Sequence, residues 1–134
     1  MVSGGVLRKQ GNPHVVRISP DVGRNFLLME ISGRPVSADL APAEAQVREA
    51  IKRLRSPFDV LSDVRGLESL DDLPVADAKR LGELLAQAKV RRVVRVVGKS
   101  STAAIQMERI ARSLGHSAHL AFSREEAEAL LAQR

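Results

Sequence analysis

The 134-residue sequence contains no cysteine, tryptophan or tyrosine, and aromatic residues make up only 2% of it. Without cysteine the chain can form no disulfide, thiol nucleophile or thiolate metal site, which is compatible with a cytosolic protein. Three phenylalanines cannot build a base-stacking platform or an aromatic cage, so we expect no nucleic-acid partner. No apolar run approaches the roughly 20 residues of a membrane-spanning helix. We therefore expect a cytoplasmic protein without a membrane span.

A chain of this length is expected to form one domain. Residues 1–13 lack the apolar centre of a signal peptide and are expected to form a flexible leader, and residues 14–134 the domain. The net charge is +5, and the basic residues concentrate in two clusters, at residues 48–55 and 89–95. Because the clusters do not form one long stripe, we interpret them as a solvated basic surface.

The spacing of apolar residues predicts five strands and four helices in the order β-β-α-β-α-β-α-β-α. The first two strands, residues 14–19 and 26–33, are expected to form a hairpin, and Ser123 is expected to begin the C-terminal helix. Right-handed crossovers between successive strands would place the helices on the same side. The prediction is an α/β fold with a single five-stranded mixed sheet and crossover helices mainly on one side.

Four polar residues interrupt otherwise apolar strands: Arg17, Glu30, Arg95 and His119. Strands that are covered on both faces rarely carry such residues. We therefore expect all four on the less covered face of the sheet, where Glu30 would neutralise Arg17 or Arg95.

Residues 58–85, FDVLSDVRGLESLDDLPVADAKRLGELL, read as a buried strand, an acidic loop and an amphipathic helix. Asp71 or Asp72 is expected to cap that helix. The pattern carried by Asp63, Gly66, Leu67, Leu70 and Asp71 resembles the core segment of the sulfate transporter and anti-sigma-factor antagonist (STAS) family. Where the antagonists of that family have a serine that a partner kinase phosphorylates, this chain has Asp72, whose single charge is permanent.

The resemblance implies a non-enzymatic regulatory or protein-interaction domain, without a cofactor, in a sigma-factor or signalling partner-switch system. It leaves the partner and the oligomeric state open. The partner-binding residues that it implies are Glu68, Ser69, Asp71, Asp72, Leu73 and Val75.

The segment Lys99, Ser100, Ser101 and Thr102 suggests an alternative. It follows a predicted strand and opens a helix, as the end of a nucleotide-binding loop does. Such a loop also needs a glycine at its beginning, and this chain has Val93 at that position. What remains is a weak anion-binding site at a helix N-terminus. The alternative function is therefore a small-ligand, nucleotide or lipid-binding module.

No catalytic or metal-binding arrangement is evident. Carboxylates gather between Asp63 and Asp77, but a phosphoacceptor or magnesium site also needs an acidic pair after the first strand, where only Asp21 is present. The three histidines lack metal-ligand spacing. We expect neither catalytic residues nor a metal site.

Overall fold

The computed structural model describes residues 16–67, 75–97 and 118–133, together with the single residues 109 and 112. In chain order, the described elements are β1 (Val16–Asp21), β2 (Phe26–Gly33), α1 (Ser37–Ile51), β3 (Phe58–Leu67), α2 (Val75–Gln87), β4 (Val90–Val96), β5 (His119–Ala121) and α3 (Arg124–Ala132).

The strands form one five-stranded sheet in the order β1-β2-β3-β4-β5. The hairpin of β1 and β2 is antiparallel, and the remaining pairs are parallel. The predicted α/β fold with a single mixed sheet is confirmed. We call the edge where β2, β3 and β4 begin the amino edge of the sheet, and the edge where they end the carboxyl edge.

Two elements differ in length from their predictions. β1 continues through Pro20 to Asp21, which the sequence pattern assigned to the turn. Because β1 is an edge strand, the missing N–H of proline costs it no internal hydrogen bond. The spacing of apolar residues predicts the first helix from Ala38 to about Arg55. The observed helix α1 ends at Ile51, and the N–H groups of Arg53 and Leu54 then bond to carbonyls three residues back and form a turn.

Helices α1 and α2 both pack on one face of the sheet, which we call the crossover face. α1 buries residues at helical spacing against alternate residues of β2 and β3, and each side chain of this size contributes about 1.5–3 kcal/mol when it is fully buried. This core contains Leu27, Met29, Leu40, Ala43, Val47, Ala50, Phe58, Val60 and Leu81.

The opposite face is partly closed by α3. Ala127 of α3 is fully buried there, and Leu130 and Leu131 pack against the same cluster. Ser123 caps the helix as predicted, since its Oγ accepts a hydrogen bond of 3.0 Å from the Glu126 N–H. The sheet residues of this face are Phe26, Leu28, Leu61, Val94, Val96 and Ala121.

Three of the four polar strand residues lie on the opposite face, but Arg95 does not. Arg17 stands across from Glu30 in the β1–β2 register, and its guanidinium is 3.4 Å from the Glu30 carboxylate. The prediction for Arg95 was wrong. Successive side chains of a strand alternate between faces, and the burial of Val94 and Val96 on the opposite face places Arg95 on the crossover face, next to Ser62 of β3.

Candidate functional site

The predicted site residues follow the carboxyl edge of the sheet. Glu68, Ser69, Asp71, Asp72 and Leu73 come after the end of β3, and Lys99, Ser100, Ser101 and Thr102 come after the end of β4; all of them lie outside the described residues. Val75 is the first residue of α2. Because β3 and β4 are parallel neighbours, with Asp63 paired to Val96, the two predicted sites leave the sheet from adjacent strand ends.

Gly66 allows β2 and β3 to approach closely at this edge. Its register partner is Ser32, beyond an irregularity that follows Glu30. A Cβ on Gly66 would lie 2.7 Å from the Cβ of Ser32. The glycine of the STAS-like pattern therefore has a steric role, because any side chain at this position would push the two strands apart.

Asp63, the first residue of the same pattern, is held by two arginines. Its carboxylate accepts hydrogen bonds from Nε and Nη2 of Arg65, at 3.0 and 2.8 Å, and from the Arg65 backbone N–H at 3.2 Å. The guanidinium of Arg124 is 3.8 Å away. Burial alone would raise the pKa of Asp63, but the hydrogen bonds from Arg65 and the charge of Arg124 outweigh it, and the net shift is downward.

Arg124 joins the strand ends to α3. In addition to Asp63, its guanidinium lies 3.6 Å from carboxylate oxygens of Glu30 and of Glu128. Glu128 in turn pairs with Arg24 at 2.5 Å. The result is a network of alternating charges in which each described carboxylate has a cationic neighbour, so it fixes positions rather than presenting a free anion or cation to a substrate.

A second charged cluster lies at the amino edge, and sequence reasoning missed it. The Asp59 side chain is only 4% exposed and accepts paired hydrogen bonds from Arg91, at 3.0 and 2.8 Å, and from Arg92, at 3.4 and 3.1 Å. Arg92 also donates to the carbonyls of Leu130 and Leu131 at the end of α3. The available signal was an aspartate at the start of a predicted buried strand, since a buried carboxylate needs a cationic partner.

Burial would raise the pKa of Asp59, but hydrogen bonds from Arg91 and Arg92 lower it overall. Of the carboxylates between Asp63 and Asp77, Glu68, Asp71 and Asp72 lie outside the described residues. Asp77 is buried and accepts a hydrogen bond from Arg80, one turn further along α2. Over residues 16–67, 75–97 and 118–133, no group of three or more histidines and carboxylates is arranged to hold a metal ion.

His119, the histidine that the structure describes, is an exposed residue of β5. None of the described helices is long and apolar enough to cross a membrane.

The chain matches no family model, no curated protein and no solved structure.

Proposed function

We propose that this chain is a non-enzymatic regulatory domain of the STAS type that binds a protein partner through residues 68–75, in a sigma-factor or similar partner-switch system in the cytoplasm. The observation that carries the proposal is the construction of the carboxyl end of β3. Asp63 is fixed there by Arg65 and Arg124, and Gly66 packs against Ser32. Two residues of the family-like pattern therefore support the strand end from which the proposed binding segment starts.

The charge state of Asp59 and Asp63 favours binding over catalysis. A general acid must hold a proton near neutral pH, and a general base must be accessible to its substrate. Asp59 and Asp63 have lowered pKa values and are buried under arginine side chains. They are suited to structural ion pairs, and partner contact does not require any of them to titrate.

Asp72 gives the proposed surface a fixed charge. It occupies the position of the phosphorylated serine in the resemblance, and a carboxylate supplies part of the charge of a phosphoserine without the possibility of removal. We therefore propose that the chain is held in one partner-binding state. Its partner would distinguish aspartate from an uncharged serine at this position.

Site-specific photocrosslinking tests the location of the surface. A photoreactive phenylalanine analogue replaces Asp72 in one variant and Val22 in the control; Val22 is 46% exposed in the β1–β2 turn, at the amino edge of the sheet. We expect a defined crosslinked protein from the Asp72 position and none from Val22. The protein identified is then purified and titrated by calorimetry with the parent chain and with Asp72→Ser. Equal crosslinking at both positions, or equal affinity of the two chains, would contradict the proposal.

A small anionic ligand is the second candidate. Ligands of open α/β sheets bind beyond the carboxyl ends of parallel strands, and the segments that follow Leu67 and Val97 leave from such ends. Under this alternative, inorganic phosphate or a nucleotide would raise the melting temperature, and Lys99→Ala would abolish the increase. Stabilisation that Lys99→Ala leaves intact would exclude this segment as the anion site.

A further inference from the structure

The two basic clusters of the sequence meet at the amino edge of the sheet. Lys52, Arg53 and Arg55 occupy the connection from α1 to β3, and Lys89 immediately precedes β4. Because Phe58 and Val90 are paired at the start of the parallel strands β3 and β4, the two connections lie next to each other. The first cluster and Lys89 of the second therefore form one positive surface, although 33 residues separate Arg55 from Lys89 in the chain.

The backbone that carries these cations is fixed. Asn25, in the left-handed region with φ 61°, donates to the Arg55 and Pro57 carbonyls at 3.0 and 3.2 Å and accepts from the Arg55 N–H at 2.7 Å. Within the described part of the chain, Arg53, Arg55 and Lys89 form no ion pair through their side chains. Their charges are open to a partner, and the backbone at Arg55 is already ordered before binding.

An apolar groove continues from this surface. It lies between the last turns of α1 and α2, is open to solvent and has a volume of about 460 Å³. Its apolar residues are Ala45, Ile51, Leu84 and Ala88, and its polar residues are Arg48, Glu49, Lys52 and Gln87. The Lys52 side chain is 72% exposed and pairs with the equally exposed Glu49, so the net positive charge beside the groove comes from Arg53, Arg55 and Lys89.

We propose that this groove, with the basic surface beside it, binds an acidic amphipathic helix of a protein partner. The apolar face of the helix would lie against Ile51, Leu84 and Ala88, and its carboxylates would face Lys52, Arg53 and Lys89. Nucleic acid would use the cations but not the groove, so the combination of the two favours protein. The surface lies at the opposite edge of the sheet from residues 68–75, and this inference does not rest on the function proposed above.

The test uses a fluorescein-labelled peptide of about four helical turns, with glutamate on one face and leucine on the other. A scrambled peptide of the same composition has no apolar face, and a labelled DNA duplex serves as the nucleic-acid probe. Lys52→Gln combined with Arg53→Gln removes two charges from the surface, and Arg17→Gln combined with Lys79→Gln removes two charges elsewhere. Ala45→Glu places a carboxylate in the groove, and its control is Ala41→Glu, the same substitution at an exposed position of α1 outside the groove.

We expect the amphipathic peptide to bind the parent chain, and its affinity to fall by about tenfold in the Lys52/Arg53 variant and in Ala45→Glu. The two control variants should bind as the parent does, and circular dichroism should show all four folded. Absence of peptide binding, equal binding of the scrambled peptide, or equal losses in variant and control would overturn the proposal. DNA binding that Ala45→Glu leaves unchanged, with no preference for the amphipathic peptide, would instead assign the basic surface to nucleic acid.

Discussion

Gly66→Ala should destabilise the domain through a single steric contact. The added Cβ would lie 2.7 Å from Ser32 Cβ and 3.4 Å from Ser32 Cα, and neither atom can move unless the β2–β3 pair shifts. Overpacking of this kind costs about 1–3 kcal/mol, and the reduced freedom of alanine in the unfolded chain offsets about 0.4–1 kcal/mol. We expect the free energy of unfolding to fall by about 1–2 kcal/mol.

Urea denaturation followed by far-UV circular dichroism measures this change, since the chain has no tryptophan to report by fluorescence. The control is Gly23→Ala. A Cβ at this exposed turn position would find its nearest neighbour, Asp21 Oδ1, at an ordinary contact distance of 3.8 Å. The control should match the parent or be slightly more stable, because alanine restricts the unfolded chain without meeting a clash in the native one.

Ser32→Gly provides the rescue. It removes the atom that the new methyl group would strike, so Gly66→Ala should cost less in the Ser32→Gly background than in the parent. The double-mutant cycle separates this coupling from the cost of placing a second glycine in a strand. If Gly66→Ala is as stable as Gly23→Ala, or if Ser32→Gly leaves its cost unchanged, the steric explanation for the glycine is wrong.

Three further predictions concern the charged clusters and the C-terminal helix. Asp59→Asn should lower the free energy of unfolding by about 3 kcal/mol, because it removes the buried charge that two arginines share; urea denaturation measures it, and a change below the error would contradict it. The folded-state pKa values of Asp59 and Asp63 are lowered, so their contribution to the free energy of unfolding is complete above the unfolded pKa of about 4 and is lost as the pH falls below it. Urea titrations at pH 3 to 7 should show this loss of stability, and Asp59→Asn should make it smaller. Ser123→Ala should cost about 1 kcal/mol, whereas Ser37→Ala, exposed in the first turn of α1, should cost much less.

Local patterns were sufficient to predict the described elements and the sheet. The pattern of apolar residues in the strands, with the turn residues between them, predicted β2 at its observed bounds, Phe26–Gly33. Ser123 with Glu126 predicted the start of α3. Each of these signals depends on residues that are close together in the sequence. The sequence also indicated that the strand ends near Asp63 and Arg65, and β3 continues two residues further to Leu67.

The charged clusters could not be predicted in the same way. Asp59 and its partner Arg92 are 33 residues apart, and Arg24 and Glu128 are 104 residues apart. A charged residue in an apolar segment indicates that it needs a partner of opposite charge. Only the register of the sheet and the packing of α3 determine which residue that partner is. The prediction for Arg95 failed for a related reason, because a polar residue in an apolar strand was taken to mark the exposed face, whereas the face is set by its buried neighbours Val94 and Val96.

The position of α3 follows from two carboxylates on one strand. Asp59 and Asp63 are four residues apart on β3, so their side chains share the opposite face and stand about 13 Å from each other. Arg124, at the start of α3, lies beside Asp63, and Arg92 links Asp59 to the carbonyls of Leu130 and Leu131 near its end. The helix rises about 10 Å from Arg124 to Leu131, somewhat less than the separation of the two aspartates, and these contacts require α3 to run antiparallel to β3. The two ion pairs that neutralise the buried carboxylates of β3 therefore tie both ends of the helix that closes this face.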